Sequence, residues 1–105
     1  MTDREEILKR IKKSVSETAP GATTILYGSY ARGDYRADSD IDLMILVDKE
    51  KLSYEEEKSI KYPLYDIEFD LGIVISPRVM PRHLWQSRQG KTPYYENVAR
   101  EGIVL

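Results

Sequence analysis

The sequence predicts an α/β (α+β) chain, a small mixed β-sheet flanked by helices, with residues 1–105 forming one domain. Three observations carry this. The first segment repeats its apolar residues at helical intervals. Ile41 to Val47 is an almost unbroken apolar run, as expected of a strand covered on both faces. Helix-like and strand-like segments then alternate along the chain.

Residues 2 to 17 read as an amphipathic helix. Ile7, Leu8, Ile11 and Val15 make one apolar stripe, and Thr2 and Glu5 have capping-box spacing. Lys9, Arg10, Lys12 and Lys13 form a solvated face toward the end where positive charge suits the helix dipole. Pro20-Gly21 stops the element. Ala22 to Tyr27 is a short β-branched strand, broken by Gly28-Ser29. Ser29 to Asp34 turns into a short helix, and Arg36 to Asp40 is polar loop. After the Ile41 to Val47 strand, Ser53 to Ile60 reads as a short helix with Ser53 and Glu56 at capping-box spacing. Asp66 to Ser76 alternates with period two: Ile67, Phe69, Leu71, Ile73 and Ile75 on one side, Asp66, Glu68 and Asp70 on the other, so a strand is expected. Pro77 and Pro81 read as a turn, and Arg82 to Arg88 as a short helix. Thr92-Pro93 opens a last helix, with an N-cap and Pro at N1, that runs to Glu101 and stops at Gly102. Ile103 to Leu105 is an apolar tail expected to pack down.

Composition narrows the chemistry. There is no cysteine, so disulfides, thiolate zinc sites and thiol nucleophiles are excluded. His83 is the only histidine, and reads as a structural or surface residue. Sixteen basic residues against eighteen acidic ones give a net charge of −2, which disfavours stable nucleic-acid binding. No apolar run approaches the ~18 residues that span a bilayer, so no membrane association and a cytoplasmic location are expected.

Three features carry chemistry. Asp40 and Asp42 stand at i and i+2 on a strand, so both carboxylates aim at one spot from positions about 6.5–7 Å apart. Their repulsion needs an offset, which a hard divalent cation such as Mg²⁺ supplies. Two ions about 3.5–4 Å apart fit in-line phosphoryl displacement, with Asp70 completing the site if its strand lies alongside. Gly28-Ser29 ends the preceding strand, where a glycine lets an anion approach the backbone and a helix start favours phosphate. Other nucleotide signatures fail. Gly28 and Gly33 have P-loop spacing, but Asp34 stands where a lysine is needed.

Residues 28 to 43, Gly-Ser-Tyr-Ala-Arg-Gly-Asp-Tyr-Arg-Ala-Asp-Ser-Asp-Ile-Asp-Leu, resemble the signature of the minimal nucleotidyltransferases (MNT) of the DNA polymerase β superfamily: Gly-Ser, ten residues, then Asp-x-Asp. Tyr94-Tyr95-Glu96-Asn97 through Glu101-Gly102 resembles the family's C-terminal helix. The resemblance implies a nucleotidyltransferase-like fold and transfer of AMP from ATP. It implies Asp40, Asp42 and Asp70 as catalytic residues holding two Mg²⁺ ions, with Glu68 the rival third carboxylate. Gly28, Ser29 and, in support, Arg32 would hold the triphosphate. At this length the chain resembles the antitoxin of HEPN/MNT toxin–antitoxin pairs of the type VII kind, which adenylylates a tyrosine of the HEPN ribonuclease toxin. Size agrees with an external acceptor, since one α/β unit leaves no room for an acceptor-binding helical domain. The alternatives are a non-catalytic antitoxin acting by occlusion, and the catalytic subunit of a small-molecule nucleotidyltransferase.

Overall fold

The computed structural model describes residues 3–105. Helix α1, Arg4–Thr18, is followed by β1, Thr23–Tyr27, the short α2, Ser29–Arg32, and β2, Asp40–Val47. Helix α3, Tyr54–Leu71, leads to β3, Val74–Pro81, then α4, Arg82–Gln86, α5, Pro93–Glu101, and the two-residue β4, Ile103–Val104. The four strands form one sheet in the order β3-β2-β1-β4. Strand β1 runs antiparallel to both β2 and β4, while β2 and β3 are parallel, so the sheet is mixed as predicted.

Alternation along β2 builds two layers. Ile41, Leu43, Ile45 and Val47 face α1 and α3, and pack with Ile7, Ile11, Val15, Ile60, Leu64 and Ile67. Met44 and Leu46 face the other way, under Trp85 of α4 and Val98 of α5. Both faces of β2 are thus covered, which is why its sequence reads as a continuous apolar run. The cover on the second face ends at Met44. Asp42 and Asp40 continue that face beyond it, half-buried and exposed respectively.

Helix α1 takes its N-cap from Asp3, whose side chain accepts the Glu6 N–H at 2.8 Å. Thr2, the expected capping residue, lies outside the described residues. The Ser53–Glu56 capping box is present, with both reciprocal hydrogen bonds. Thr92 caps α5, with Pro93 at its first turn.

The stretch Asp66 to Ser76 departs from expectation. Residues through Leu71 belong to α3, which closes at Gly72, and the strand begins at Val74. Buried Ile60, Leu64 and Ile67, with Leu71 packed against them, recur at spacings of four, three and four, the period of a helix. Phe69, the residue that made the alternation look complete, is 90% exposed. Pro63 lies inside α3 and removes one ladder N–H, which interrupts the helical pattern in the sequence without ending the helix.

Pro77 and Pro81 do not mark a turn; both lie within β3. Strand β3 is an edge, paired only with β2. The Ile75 N–H points away from β2 and donates to Oε2 of Glu68 at 2.7 Å. By the period of two, residues 77 and 81 aim their backbone nitrogens at the same free edge. Proline there costs no ladder bond and blunts the edge against further pairing. The tail, Ile103 to Leu105, adds β4 to β1, with the Leu105 N–H donating to Thr24 at 2.9 Å.

The helical placement of residues 66–71 has a direct test. Ile67→Ala is expected to cost about 2–4 kcal/mol in urea unfolding, and Phe69→Ala to stay within about 0.5 kcal/mol of the parent. Equal losses would return both residues to one buried strand face.

Candidate active site

The site forms where the uncovered end of β2 meets the β1–α2 turn. Tyr27 stands opposite Asp42 in the β1–β2 register, and Ser76 stands opposite it on β3. Gly28 follows Tyr27 directly and takes φ 77°, ψ −159°, a conformation that side chains oppose. A second constraint is closer still: a Cβ at Gly28 would collide with Oδ2 of Asp42. The signature glycine is therefore required by its backbone, and a side chain there would also push the Asp42 carboxylate aside. Ser29 opens α2, and Tyr30 buries its ring in the α1/α3 layer, stacked 4.2 Å from Tyr35.

Asp40 and Asp42 share one face, as the i, i+2 spacing requires. Among the described residues the side-chain hydrogen bond to this pair is the Ser76 hydroxyl donating to Oδ2 of Asp40 at 3.3 Å. Burial holds the Asp42 carboxyl above the usual carboxylate range, and the charges of Asp40 and Glu101 push it further; Arg32 and Arg78 oppose them from a distance. The Tyr27 hydroxyl lies 2.7 Å from that of Tyr94, and burial with this hydrogen bond raises its proton affinity. The Arg78 guanidinium sits over the Tyr94 ring, 5.2 Å from its centroid. The site is thus a carboxylate pair under strain of like charge, flanked by arginines and a backbone turn. Hard cations suit the pair, since Mg²⁺ commonly takes one or two carboxylates and completes its shell with water and phosphate oxygens. Among the described residues no three His, Asp or Glu side chains stand together as a metal-holding group.

Asp70 is not part of this arrangement. It lies on α3, on the opposite side of the sheet, with its carboxylate 3.3 Å from Arg10 of α1. Its expected position depended on the strand that proves to be helix. Glu68 is displaced for the same reason and caps the start of β3 instead. Arg32 is near the site, held by Glu101 at 3.2 Å and Asp34 at 3.3 Å. His83 lies elsewhere, its Nε2 2.8 Å from the Glu50 carbonyl.

Glu101 is the acidic group that the spacing of the sequence did not single out. Its Oε1 accepts the Gly28 N–H at 3.1 Å, across 73 positions of sequence. The signal available was its place at the end of a capped helix, before Gly102. That glycine also has no room for a side chain: a Cβ would stand 2.5 Å from the Val98 carbonyl and 2.7 Å from Cγ2 of Ile25.

Comparison with known proteins identifies the family. The sequence model of the nucleotidyltransferase domain family matches residues 8–85. A Methanocaldococcus jannaschii protein named "putative protein adenylyltransferase" is 36% identical over 101 residues, covering 93% of this chain and 94% of its own. A second protein of that organism, of the same name, is 37% identical over 81 residues, covering 77% and 74%. A solved structure described as a "putative minimal nucleotidyltransferase" superposes with a TM-score of 0.64 at 27% identity, over 99% of this chain and 97% of that one. The chain belongs to the nucleotidyltransferase family, with the minimal architecture the sequence resemblance implied. No described helix is long and apolar enough to cross a membrane.

Two outcomes test the site geometry. Gly28→Ala is expected to lose at least about 1–3 kcal/mol in urea unfolding, because both the backbone and Asp42 must move. Asp42 binds its proton more tightly folded than unfolded, so its ionisation opposes folding. That cost is absent below about pH 4, near the unfolded value, and grows as pH rises through the folded value. Asp42→Asn is therefore expected to melt above the parent at pH 7 in metal-free buffer, with the gap closing near pH 3. A variant that melts lower at pH 7 would show that the carboxylate is compensated after all.

Proposed function

We propose that this nucleotidyltransferase moves AMP from ATP to a tyrosine hydroxyl of a protein partner, and that the partner is a HEPN-family ribonuclease toxin silenced by the modification. The observation that supports this best is the packing of Asp42 against Gly28. It joins the two halves of the Gly-Ser-x10-Asp-x-Asp signature in one corner of the sheet, as a site that handles metal and triphosphate together requires. In this reading Gly28, Ser29 and Arg32 bind the β- and γ-phosphates, and Asp40 and Asp42 hold Mg²⁺. The bound metal would neutralise charge and polarise the α-phosphate. The chain's own groups orient the nucleotide: the Gly28 turn approaches the triphosphate without a side chain, with the Ser29 hydroxyl beside it. The acceptor tyrosine oxygen bonds to the α-phosphorus as its proton passes to solvent, the bridge to the β-phosphate breaks, and pyrophosphate leaves.

A protein acceptor is supported by the names of the relatives that match nearly the whole chain, and by the open end of the sheet. The α4–α5 cover stops at Met44, so a bulky acceptor can reach Asp40 and Asp42 from solvent. The HEPN identity of the partner and the antitoxin role rest on the sequence resemblance. A second reading, occlusion without catalysis, draws on one finding. Ser76, rather than a third carboxylate, stands beside Asp42 on β3.

Transfer separates the two. Incubated with Mg²⁺, labelled ATP and a candidate HEPN partner, the parent is expected to label a tyrosine of that protein. Asp40→Asn with Asp42→Asn should remain folded and lose transfer by about 100-fold or more. A double variant that labels nothing yet still neutralises the toxin at the same dose would favour occlusion; one that transfers at the parent rate would remove Asp40 and Asp42 from the chemistry.

A further inference from the structure

Glu101 lies outside the stretch matched by the family model, residues 8–85, yet its side chain reaches the groups assigned above to the triphosphate. Oε1 accepts the Gly28 N–H at 3.1 Å, and Oε2 lies 3.2 Å from Nη1 of Arg32. The side chain is only 20% exposed, against 47% for Arg32. This is no loose surface pair. The carboxylate is delivered by the last residue of α5, and the helix end is fixed from both sides. The Gly102 N–H donates to Val98 at 2.7 Å, and Gly102 is packed too closely on Ile25 to admit a side chain. Strand β4 then pairs Ile103 with Leu26 and Val104 with Ile25, so the chain on the far side is pinned to β1.

Placing a carboxylate here has an electrostatic cost. It adds a third carboxylate to the corner that already holds Asp40 and Asp42. Its partners there are the Gly28 amide and the Arg32 guanidinium. Those two donors, a backbone N–H at a glycine turn and an arginine, are the donors a phosphate takes. Glu101 satisfies both with one carboxylate.

We propose that Glu101 is a positioning residue that occupies the phosphate seat in the nucleotide-free protein: it holds the Gly28 turn and Arg32 in place, and gives up both donors when the triphosphate arrives. This rests on the reading of Gly28 and Arg32 as triphosphate ligands. Nucleotide then binds in competition with the chain's own carboxylate. Removing the charge of Glu101 weakens the competitor and leaves the seat formed, so affinity for nucleotide rises.

The test is calorimetric titration of the full chain with ATP in the presence of Mg²⁺. Glu101→Gln is expected to bind about 3- to 10-fold more tightly than the parent. Asp38→Asn controls for charge alone. It removes one negative charge from the exposed loop before Asp40 without touching Gly28 or Arg32, and its affinity is expected to stay within about twofold of the parent. Should Glu101→Gln fold poorly in a circular dichroism melt, Glu101→Asp replaces it. One methylene shorter, it withdraws from Gly28 and is also expected to bind nucleotide more tightly. In parent protein labelled with nitrogen-15, the Gly28 amide resonance is expected to shift on adding ATP, as carboxylate gives way to phosphate. Unchanged or weaker binding in the Glu101 variant, or an equal gain in Asp38→Asn, overturns the proposal. A parent that binds no ATP with Mg²⁺ present overturns the triphosphate reading itself, a result distinct from the others.

Discussion

The contact between Asp42 and Gly28 ties the end of β1 to the acidic end of β2. A side chain at residue 28 would displace the carboxylate, and β2 holds its second aspartate on the face away from α1 and α3. Tyr27 and Ser76 flank the same residue from the neighbouring strands. The corner is therefore assembled by strand register, the least adjustable part of a sheet, since a slip of one residue would send Asp42 into the apolar layer.

The apolar layers show how this corner is paid for in stability. Ile41, Leu43, Ile45 and Val47 are sealed under two long helices, and Met44 and Leu46 under Trp85 and Val98. The aromatic cluster continues through Tyr94 and Tyr95, whose rings lie 5.7 and 4.7 Å from Trp85. That packing stops one residue pair short of the acidic end. Asp42 is left between environments: buried enough to resist ionisation, open enough for a ligand to reach. Stability drawn from the packed part of β2 tolerates like charges at its end, an arrangement common where function and folding compete for the same strand.

Much of this was legible in the sequence. The unbroken run from Ile41 to Val47 announced a strand covered on both sides, and the Ser53–Glu56 and Thr92-Pro93 signals placed two helix starts through local hydrogen bonding. Gly-Ser follows β1 and Asp-x-Asp opens the antiparallel neighbour β2, so a short separation in sequence became contact in space. Residues 66–76 misled because two periods coincide there. Ile67 and Leu71 fit a helix face, Ile73 precedes and Ile75 lies in a strand, and Phe69, exposed, bridged them into a false alternation. Pro63 hid the continuity of α3. Asp70 followed that error to the far side of the sheet. Glu101 was missed for a different reason. Its partners are 69 and 73 positions away, reached only because α5 folds back over the sheet and β4 joins β1. Spacing along the chain carries no trace of such a contact.

Asp42 is a half-buried carboxylate pressed by like charge, and the proposed function has it hold a cation. Its titration, followed by carbon-13 NMR of the side-chain carboxyl with and without Mg²⁺, is the most direct measurement of that state. A midpoint above the ordinary aspartate range is expected in metal-free protein, with a marked fall when Mg²⁺ is added. An ordinary midpoint that Mg²⁺ leaves in place would contradict that role.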